Sequence, residues 1–494
     1  MNFDILFRAD ASCKIGVGHV IRCLTLADAL TELGWRCHFA VMPDTLNILP
    51  ALAQSPYEII QLNDQSELQD LEDHFKSGVK LLVVDHYDWS AAQESECRKW
   101  AERIFVIDDL ANRPHDCDVL LDQALDRSDD DYSSLVPSPC PVLLGPSFSL
   151  LRPQFAKNVN AAKIKRKQNK SIQNILITLG GVAPIHLIEM VLDALQKADC
   201  KVEVDLVLGT KSEISPSIIS KVENLTFQVN LLSAVKNVSD LMLKADLSIG
   251  TVGSTSWERC CLGLPAVVIA TAENQMQNAR SLHQYGAIEF LGKSESLSSS
   301  DIANVLKKLL HNNKVCLRMS NAAFALCDGI GAQRVSSLIF SQELASDGQS
   351  VRLMPATYDD LDLIYKWQKH PNTRRYARNS EIPTYEEHVS WMSDTLLSRE
   401  RLIWIIEHAG EPAGVLRLDQ HKHDDECEVS IFIAPNKIRM GISVAALRAV
   451  RQNIGNVSIT AEILPENTAS QKLFLKAGYK SKDGRHFTCP PTEQ

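Results

Sequence analysis

No C-x-x-C pair occurs in this chain, although it carries 13 cysteines in 494 residues. Their count is odd, their spacing is irregular, and Cys260 and Cys261 are neighbours. Such a pattern supplies neither a zinc-ligand framework nor a set of disulfides, so no metal site is expected, and reduced thiols in a cytoplasmic protein are. Long hydrophobic runs are missing too: none approaches the ~20 residues of a membrane span. The opening MNFDILFRAD sets acids and Arg8 among its first residues, unlike a secretory leader. Positive charge is not in excess, since the formal net charge is −10. A phosphate backbone gives such a chain no electrostatic attraction, and nucleic-acid binding is disfavoured.

What is present is ordinary for a globular protein, 45% hydrophobic and 23% charged. At roughly 100–200 residues per domain, two to four domains are expected. FDILF (3–7) reads as a buried strand, followed by a glycine-containing loop and a helix from about His19 to Leu33. CHFAVM, YEIIQL, KLLVVD and RIFVID continue as short strands. This alternation predicts a parallel, doubly wound sheet. The basic, polar stretch AAKIKRKQNKS (161–171) reads as a surface connection. NILITLGG (174–181) then opens a second alternating run, with VEVDLVLG, LTFQVNLL, ADLSIG and PAVVIA as strands. SQELASDGQS (341–350) reads as the main linker. Beyond it come VRLMPAT, two helical stretches, three consecutive strands, and a helix–strand–helix ending, an α+β order. The expected domains are therefore 1–160, 171–342 and 350–494.

Two glycine-rich helix entrances are the candidates for chemistry in the first two domains, the first of them reading alternatively as a tight strand-to-helix turn with His19 as a helix-start residue. In FRADASCKIGVGHVIRCLTLA, Gly16 and Gly18 remove side chains where a backbone must approach a ligand. The helix start offers free N–H groups and the positive end of a dipole, suited to a diphosphate. His19 stands at that entrance, with a ring whose ordinary pKa suits a general base near neutrality. Asp88, before WSAAQE, reads equally as a helix N-cap, and Asp85 as a polar strand end. Asp108, Asp109 and His115 read as structural or cleft-lining. In the second domain, ITLGGVAP repeats the pattern with Gly180 and Gly181. GTVGSTSWERCCLGLP places Gly253, Ser254 and Thr255 at a helix start. Glu258 sits on the next turn, where a carboxylate can accept two hydrogen bonds from a ribose diol. Its alternative is a first-turn acid complementing the helix dipole, and Ser254 and Thr255 read alternatively as N-caps.

RADAS, IGVGHVIRCLTLA, VVDHYDWS (83–90) and IDDLANRPHDCDVLLDQ (107–123) closely resemble the UDP-sugar hydrolase of pseudaminic acid biosynthesis. That family releases UDP from UDP-2,4-diacetamido-2,4,6-trideoxy-β-L-altropyranose. The resemblance spans most of residues 1–340. It implies two Rossmann-like halves in a GT-B arrangement, a UDP-sugar substrate, and no metal. It also implies His19, Tyr87 and Asn274 as active-site residues, with Gln275 touching sugar or phosphate. Val182 stands where the family shows an acidic residue or serine. A GT-B glycosyltransferase, which shares the UDP motifs, is the competing reading.

The last third resembles the GNAT acetyltransferases, through NTASQKLFLKAGY (467–479) and EVSIFIAPNKIRMGISVAALRAV. The resemblance implies acetyl-CoA held by Ile433, Arg439, Gly441, Ser443, Asn467 and Ser470. Glu428, on the strand before the loop, reads either as base for an amine or as an exposed strand residue. Its early segment, WQKHPNTR and EEHVSWM, looks like the subgroup that acetylates the 4-amino group of a UDP-sugar. Two positions depart from the family: Ile438 replaces the loop's Gln/Arg, and Phe474 replaces a general-acid tyrosine. A GNAT-like module without catalysis is the alternative. The expected fold is thus α/β, with two Rossmann-like halves followed by an α+β GNAT domain.

Overall fold

The computed structural model describes residues 4–12, 15–168, 171–180, 184–199, 201–208, 215–233, 235, 237–340, 343–398, 400–420, 426–455 and 457–491. It divides into two compact units: Leu6–Thr25 with His38–Ala332, and Met1–Ile5 with Leu26–Cys37 and Gln333–Gln494.

The first sheet has seven strands: β1 (Asp4–Ala9), β2 (Arg36–Val41), β3 (Glu58–Gln61), β4 (Leu81–Asp85), β5 (Ile104–Ile107), β6 (Val119–Asp122) and β7 (Val142–Leu144). Their order is β3-β2-β1-β4-β5-β6-β7. Every residue of β1, β4, β5 and β6 is buried. Such near-continuous apolar runs fit central parallel strands covered on both faces.

The second sheet, β8 (Asn174–Thr178), β9 (Glu203–Leu208), β10 (Gln228–Ser233), β11 (Leu247–Thr251), β12 (Ala266–Ala270) and β13 (Glu289–Lys293), is wholly parallel. Its order, β10-β9-β8-β11-β12-β13, repeats that of the first. Alternate residues point to opposite faces. Ile175 and Ile177 enter one core, whereas Leu176 enters another with Ala266 and Val268. In both sheets the strand order reverses beside the first strand, between β1 and β4 and between β8 and β11. Ligands of open α/β sheets bind at that crevice.

The stretch 161–171 is not a loose connection. Helix Pro153–Gln168 runs through most of it. Phe155 and Ala162 join the core of the second sheet, and the buried Arg166 donates to the carbonyls of Met242, Ala245 and Leu262. A basic residue near a helix C-terminus satisfies carbonyls that lack intrahelical donors, which the composition of the segment conceals. The linker 341–350 is likewise partly structured, since Glu343–Leu344 forms an edge strand, β14.

The third sheet continues with β15 (Ser350–Pro355), β16 (Arg401–His408), β17 (Glu411–Gln420), β18 (Glu426–Ile433), β19 (Ser458–Glu462), β20 (Lys480–Ser481) and β21 (His486–Cys489), in the order β14-β15-β16-β17-β18-β19-β21-β20. β18 and β19 are parallel and pair only over Glu426–Glu428 and Ser458–Thr460. Beyond those residues β18 stays with β17 to Ile433, whereas β19 keeps only β21, on its other edge, to Glu462. A wedge opens between them. This unit also takes in the turn before β2: Trp35 stacks on Phe340 at 4.5 Å and donates to the Asn453 carbonyl at 2.8 Å.

Candidate functional site

The first constellation lies at the reversal point of the first sheet. Gly16 has φ +78°, a left-handed conformation that glycine adopts without strain, and its N–H closes a turn on the Ser12 carbonyl at 2.8 Å. The helix Gly18–Glu32 starts directly after it. His19, buried, turns toward the end of β4, and its Nδ1 lies 2.7 Å from Asp85 Oδ1. Asp85 is fully buried and takes a two-pronged contact from Arg22, Nε to Oδ2 and Nη2 to Oδ1, both at 2.6 Å. Burial opposes the carboxylate's charge, but Arg22 and His19 outweigh it and hold its pKa far below the ordinary range. A permanently ionised Asp85 keeps a proton on Nδ1 and leaves Nε2 as the basic atom.

Tyr87 packs edge-on against the His19 ring at 4.5 Å between centroids. Burial, then the negative charge of Asp109, raise its pKa, so its hydroxyl stays protonated and serves as a donor. Asp109 also accepts from Arg22 at 3.3 Å. Arg22 is absent from the motif reading, and Asp85 and Asp109, read there as a polar strand end and as structural or cleft-lining, lie with it beside His19. The signal that finds them is topological: residues after β1 and after β4 must meet where those strands adjoin. Asp88 is not the N-cap of the following helix. That place belongs to Ser90, whose N–H and hydroxyl both donate to Gln93, while the Asp88 N–H donates to His86. Asp108 binds Arg113 at 2.8 Å and the Tyr132 hydroxyl at 2.9 Å, and His115 pairs with Glu94 at 2.8 Å.

The second constellation occupies the reversal point of the second sheet. Gly180 follows β8 with φ +91°, and a Cβ there would lie 3.7 Å from Thr251 Oγ1. Gly181 and Val182 lie outside the described residues. Gly253 is the N-cap of helix Ser254–Cys261, so Ser254 and Thr255 occupy its first turn rather than the cap. Ser254 is exposed and Thr255 partly so. The two helix entrances meet: a Cβ on Gly18 would come 3.7 Å from Ser254 Oγ. Two positive helix ends therefore bracket one place, an arrangement suited to a diphosphate. Glu258 is buried, with Arg152 Nη2 at 3.3 Å. Burial raises its pKa, and Arg152 only partly offsets this. Asn274 is exposed on a short turn of helix, Glu273–Gln275. The side-chain oxygen of Gln275 accepts from the Thr271 N–H at 2.9 Å, so what it keeps for a ligand is its amide nitrogen.

The third constellation fills the wedge between β18 and β19. A cavity of about 800 Å³ is lined by Ile433, Arg439, Gly441, Ser443, Asn467 and Ser470, and by Glu428. Gly441, at φ +80°, is the N-cap of the 12-residue helix Ile442–Asn453. A Cβ there would sit 2.1 Å from Ser346 Oγ, so both conformation and close approach demand glycine. Asn467 caps helix Thr468–Lys476 by accepting from the Ser470 N–H at 3.1 Å. Ile438 is half exposed. Phe474, which replaces the family's general-acid tyrosine, lines the cavity. The buried Tyr479, edge-on to Phe474 at 4.9 Å, does not line it, and its hydroxyl has no hydrogen-bond partner among the described residues.

Among the described residues no group of three or more His, Cys, Asp or Glu side chains is placed to hold a metal ion, and no helix is long and apolar enough to cross a membrane.

Comparison with known proteins gives two family matches. The glycosyltransferase family 28 C-terminal domain model matches residues 174–334, and the GNAT acetyltransferase domain model matches residues 350–480. An uncharacterized protein of Methanocaldococcus jannaschii is 24% identical over 96% of each chain. The UDP-2,4-diacetamido-2,4,6-trideoxy-β-L-altropyranose hydrolase of Campylobacter jejuni is 26% identical over 57% of this chain and 97% of its own. The solved structure of MurG from Acinetobacter baumannii matches 68% of this chain and 98% of its own, with TM-score 0.52 and 14% identity, which shows the fold. The architecture is therefore two Rossmann-like halves in a GT-B arrangement followed by a GNAT domain, and the resemblance to the hydrolase covers the first part.

Proposed function

We propose that the first part hydrolyses UDP-2,4-diacetamido-2,4,6-trideoxy-β-L-altropyranose to UDP and free sugar, and that the GNAT domain acetylates its 4-amino precursor from acetyl-CoA. The observation that carries the first half is the buried Asp85–His19 pair at one helix entrance, facing the Ser254 entrance. His19 Nε2 takes a proton from water as the water oxygen attacks the anomeric carbon. The bond to the phosphate oxygen breaks, and the negative charge arriving on UDP meets the N–H groups at Gly253–Ser254 and Gly18. Gly180 lets the nucleotide approach the backbone, and Glu258 accepts from the ribose hydroxyls. Tyr87 donates to the sugar or the water, and Asn274, Gln275 and Thr255 complete the sugar and phosphate contacts. No step calls on a metal.

In the second half, the N–H groups at Gly441–Ser443 hold the diphosphate of acetyl-CoA. Ile433, Arg439, Asn467 and Ser470 line its course, and Glu428 takes the proton from the attacking amine. A cytoplasmic location is part of this proposal, since reduced thiols fit it.

The test is UDP release from the diacetamido sugar nucleotide in EDTA, beside His19→Ala. Rapid release that disappears in the folded variant supports the reading, and near-wild-type turnover by that variant removes His19 as base. The family 28 match favours a second reading, transfer of the sugar to an acceptor. Release that requires an added sugar acceptor would decide for it.

A further inference from the structure

In the acetyltransferase cavity, Glu428 is not free. The Arg378 guanidinium, from the segment after helix Pro371–Arg374, holds both of its oxygens, Nη1 to Oε2 at 3.2 Å and Nη2 to Oε1. The same Nη2 donates to Glu462 Oε2 at 2.8 Å. Glu462 lies on β19, two residues past Thr460, the partner of Glu428 across the last paired rung before the strands part. Side chains two apart on a strand share a face, so Glu428 and Glu462 converge on the mouth of the wedge. Glu462 spends its other oxygen, Oε1, on Arg485 Nε at 2.8 Å. Arg485 thus fixes the carboxylate and leaves Oε2 for whatever stands between the two acids. The acids are largely covered, with side chains 21% and 29% exposed, whereas Arg378 is 61% exposed. All three line the 800 Å³ cavity. The cation is the replaceable member of the trio.

We infer that Glu428 and Glu462 together form the subsite for the acceptor's ammonium group, and that Arg378 occupies this subsite until the acceptor displaces it. This rests on the reading of the domain as an amine acetyltransferase. A primary amine reaches the site protonated near neutrality, and two carboxylates suit an ammonium with three N–H donors. Glu428 then takes one proton. The freed nitrogen lone pair attacks the thioester carbonyl carbon, a C–N bond forms, and the C–S bond breaks with its electron pair on sulfur. The second N–H proton passes through solvent to the thiolate, as no hydroxyl stands at Phe474 to deliver one. Glu462 is a substrate-binding residue in this scheme, and Arg378 is an internal competitor that also keeps two acids neutralised at rest.

The experiment measures acetyl transfer by the full chain, with Arg378→Ala and Glu462→Gln beside wild type. It uses two probe amines: the UDP-linked 4-amino-2-acetamido-trideoxy sugar and the methyl glycoside of the same amino sugar without nucleotide. If Arg378 fills the subsite nine-tenths of the time, its removal lowers the acceptor KM about tenfold. Loss of one charged hydrogen-bond acceptor in Glu462→Gln raises that KM about tenfold. The acetyl-CoA KM and the melting temperature stay as in wild type in both. Turnover of the nucleotide sugar with unchanged acceptor KM in both variants overturns the ammonium subsite and leaves the proposed activity standing. Transfer to the glycoside alone, with both shifts present, supports the subsite and overturns the nucleotide substrate. No transfer to either amine overturns both.

Discussion

Replacing Asp85 by Asn isolates the pair on which the hydrolytic reading depends. Asp85 is fully buried between His19 Nδ1 at 2.7 Å and Arg22 at 2.6 Å twice over. An asparagine oxygen can still accept from one of them, but its NH2 then faces the donor of the other. Breaking a buried ion pair costs about 3–5 kcal/mol. Arg22 keeps Asp109 at 3.3 Å, so the lower end, ~3 kcal/mol, is expected, or roughly a 6 °C fall in melting temperature for a large unit. The rate should suffer more, because a neutral amide cannot stabilise the imidazolium that forms as His19 takes its proton. We expect kcat for UDP release to fall by about 10²–10⁴ with KM little changed. The folded native carboxylate has a depressed pKa, so its contribution to stability is complete above the unfolded value of ~3.9 and is lost as pH falls through the lower folded value. Asp85→Asn should remove that part of the acid transition. The assay is steady-state UDP release on protein shown to be folded by circular dichroism. A folded variant whose kcat stays within about threefold of wild type, under 1 kcal/mol of barrier, refutes the argument.

Burial raises the Glu258 pKa, and ribose hydroxyls donating to it favour the ionised form. UDP binding should therefore release a proton, and affinity should rise with pH between the bound and free values of the group. Calorimetry in buffers of different ionisation enthalpy measures this, and Glu258→Gln should abolish the proton release and weaken UDP by ~1–3 kcal/mol. Gly441→Ala sets a Cβ 2.1 Å from Ser346 Oγ at a left-handed φ. It should destabilise the C-terminal unit by ~2 kcal/mol and weaken acetyl-CoA binding, while UDP release from the diacetamido sugar stays unchanged.

Strand and helix alternation, two doubly wound sheets and the change to a mixed sheet were legible because each is written in local pattern. The helix entrances at Gly16–His19 and Gly253–Glu258 were legible for the same reason, since glycines and a following apolar period mark them. What local pattern does not carry is which strand lies beside which. Asp85 and Arg22 are 63 residues apart, and Arg378 and Glu462 are 84 apart. Nothing near either residue announces its partner. The order β3-β2-β1-β4 makes the first meeting necessary, and the parting of β18 from β19 makes the second one accessible. The stretch 161–168, the second half of helix Pro153–Gln168, reads as a surface connection for a different reason. The helix's exposed lysines dominate its composition, and the few residues that bury it, Phe155, Ala162 and Arg166, are too widely spaced to signal a face.

The two proposed reactions also fix an order that can be measured. The hydrolase reading requires an acetamido group at the 4-position, whereas the acetyltransferase reading requires a free amine there on a sugar still joined to UDP. Acetylation must then come first, because hydrolysis of the amine-bearing nucleotide would strip away the UDP on which the acceptor reading depends. Given the 4-amino nucleotide sugar without acetyl-CoA, the enzyme should release little UDP. With acetyl-CoA, UDP should appear after a lag that shortens as acetyl-CoA is raised, while free thiol appears without one. His19→Ala should accumulate the diacetamido nucleotide sugar with thiol release intact, and Glu428→Gln should suppress thiol and UDP together. UDP release that keeps its full initial rate without acetyl-CoA would show that the first unit does not discriminate at the 4-position. The two chemistries would then share a chain without sharing a sequence of steps.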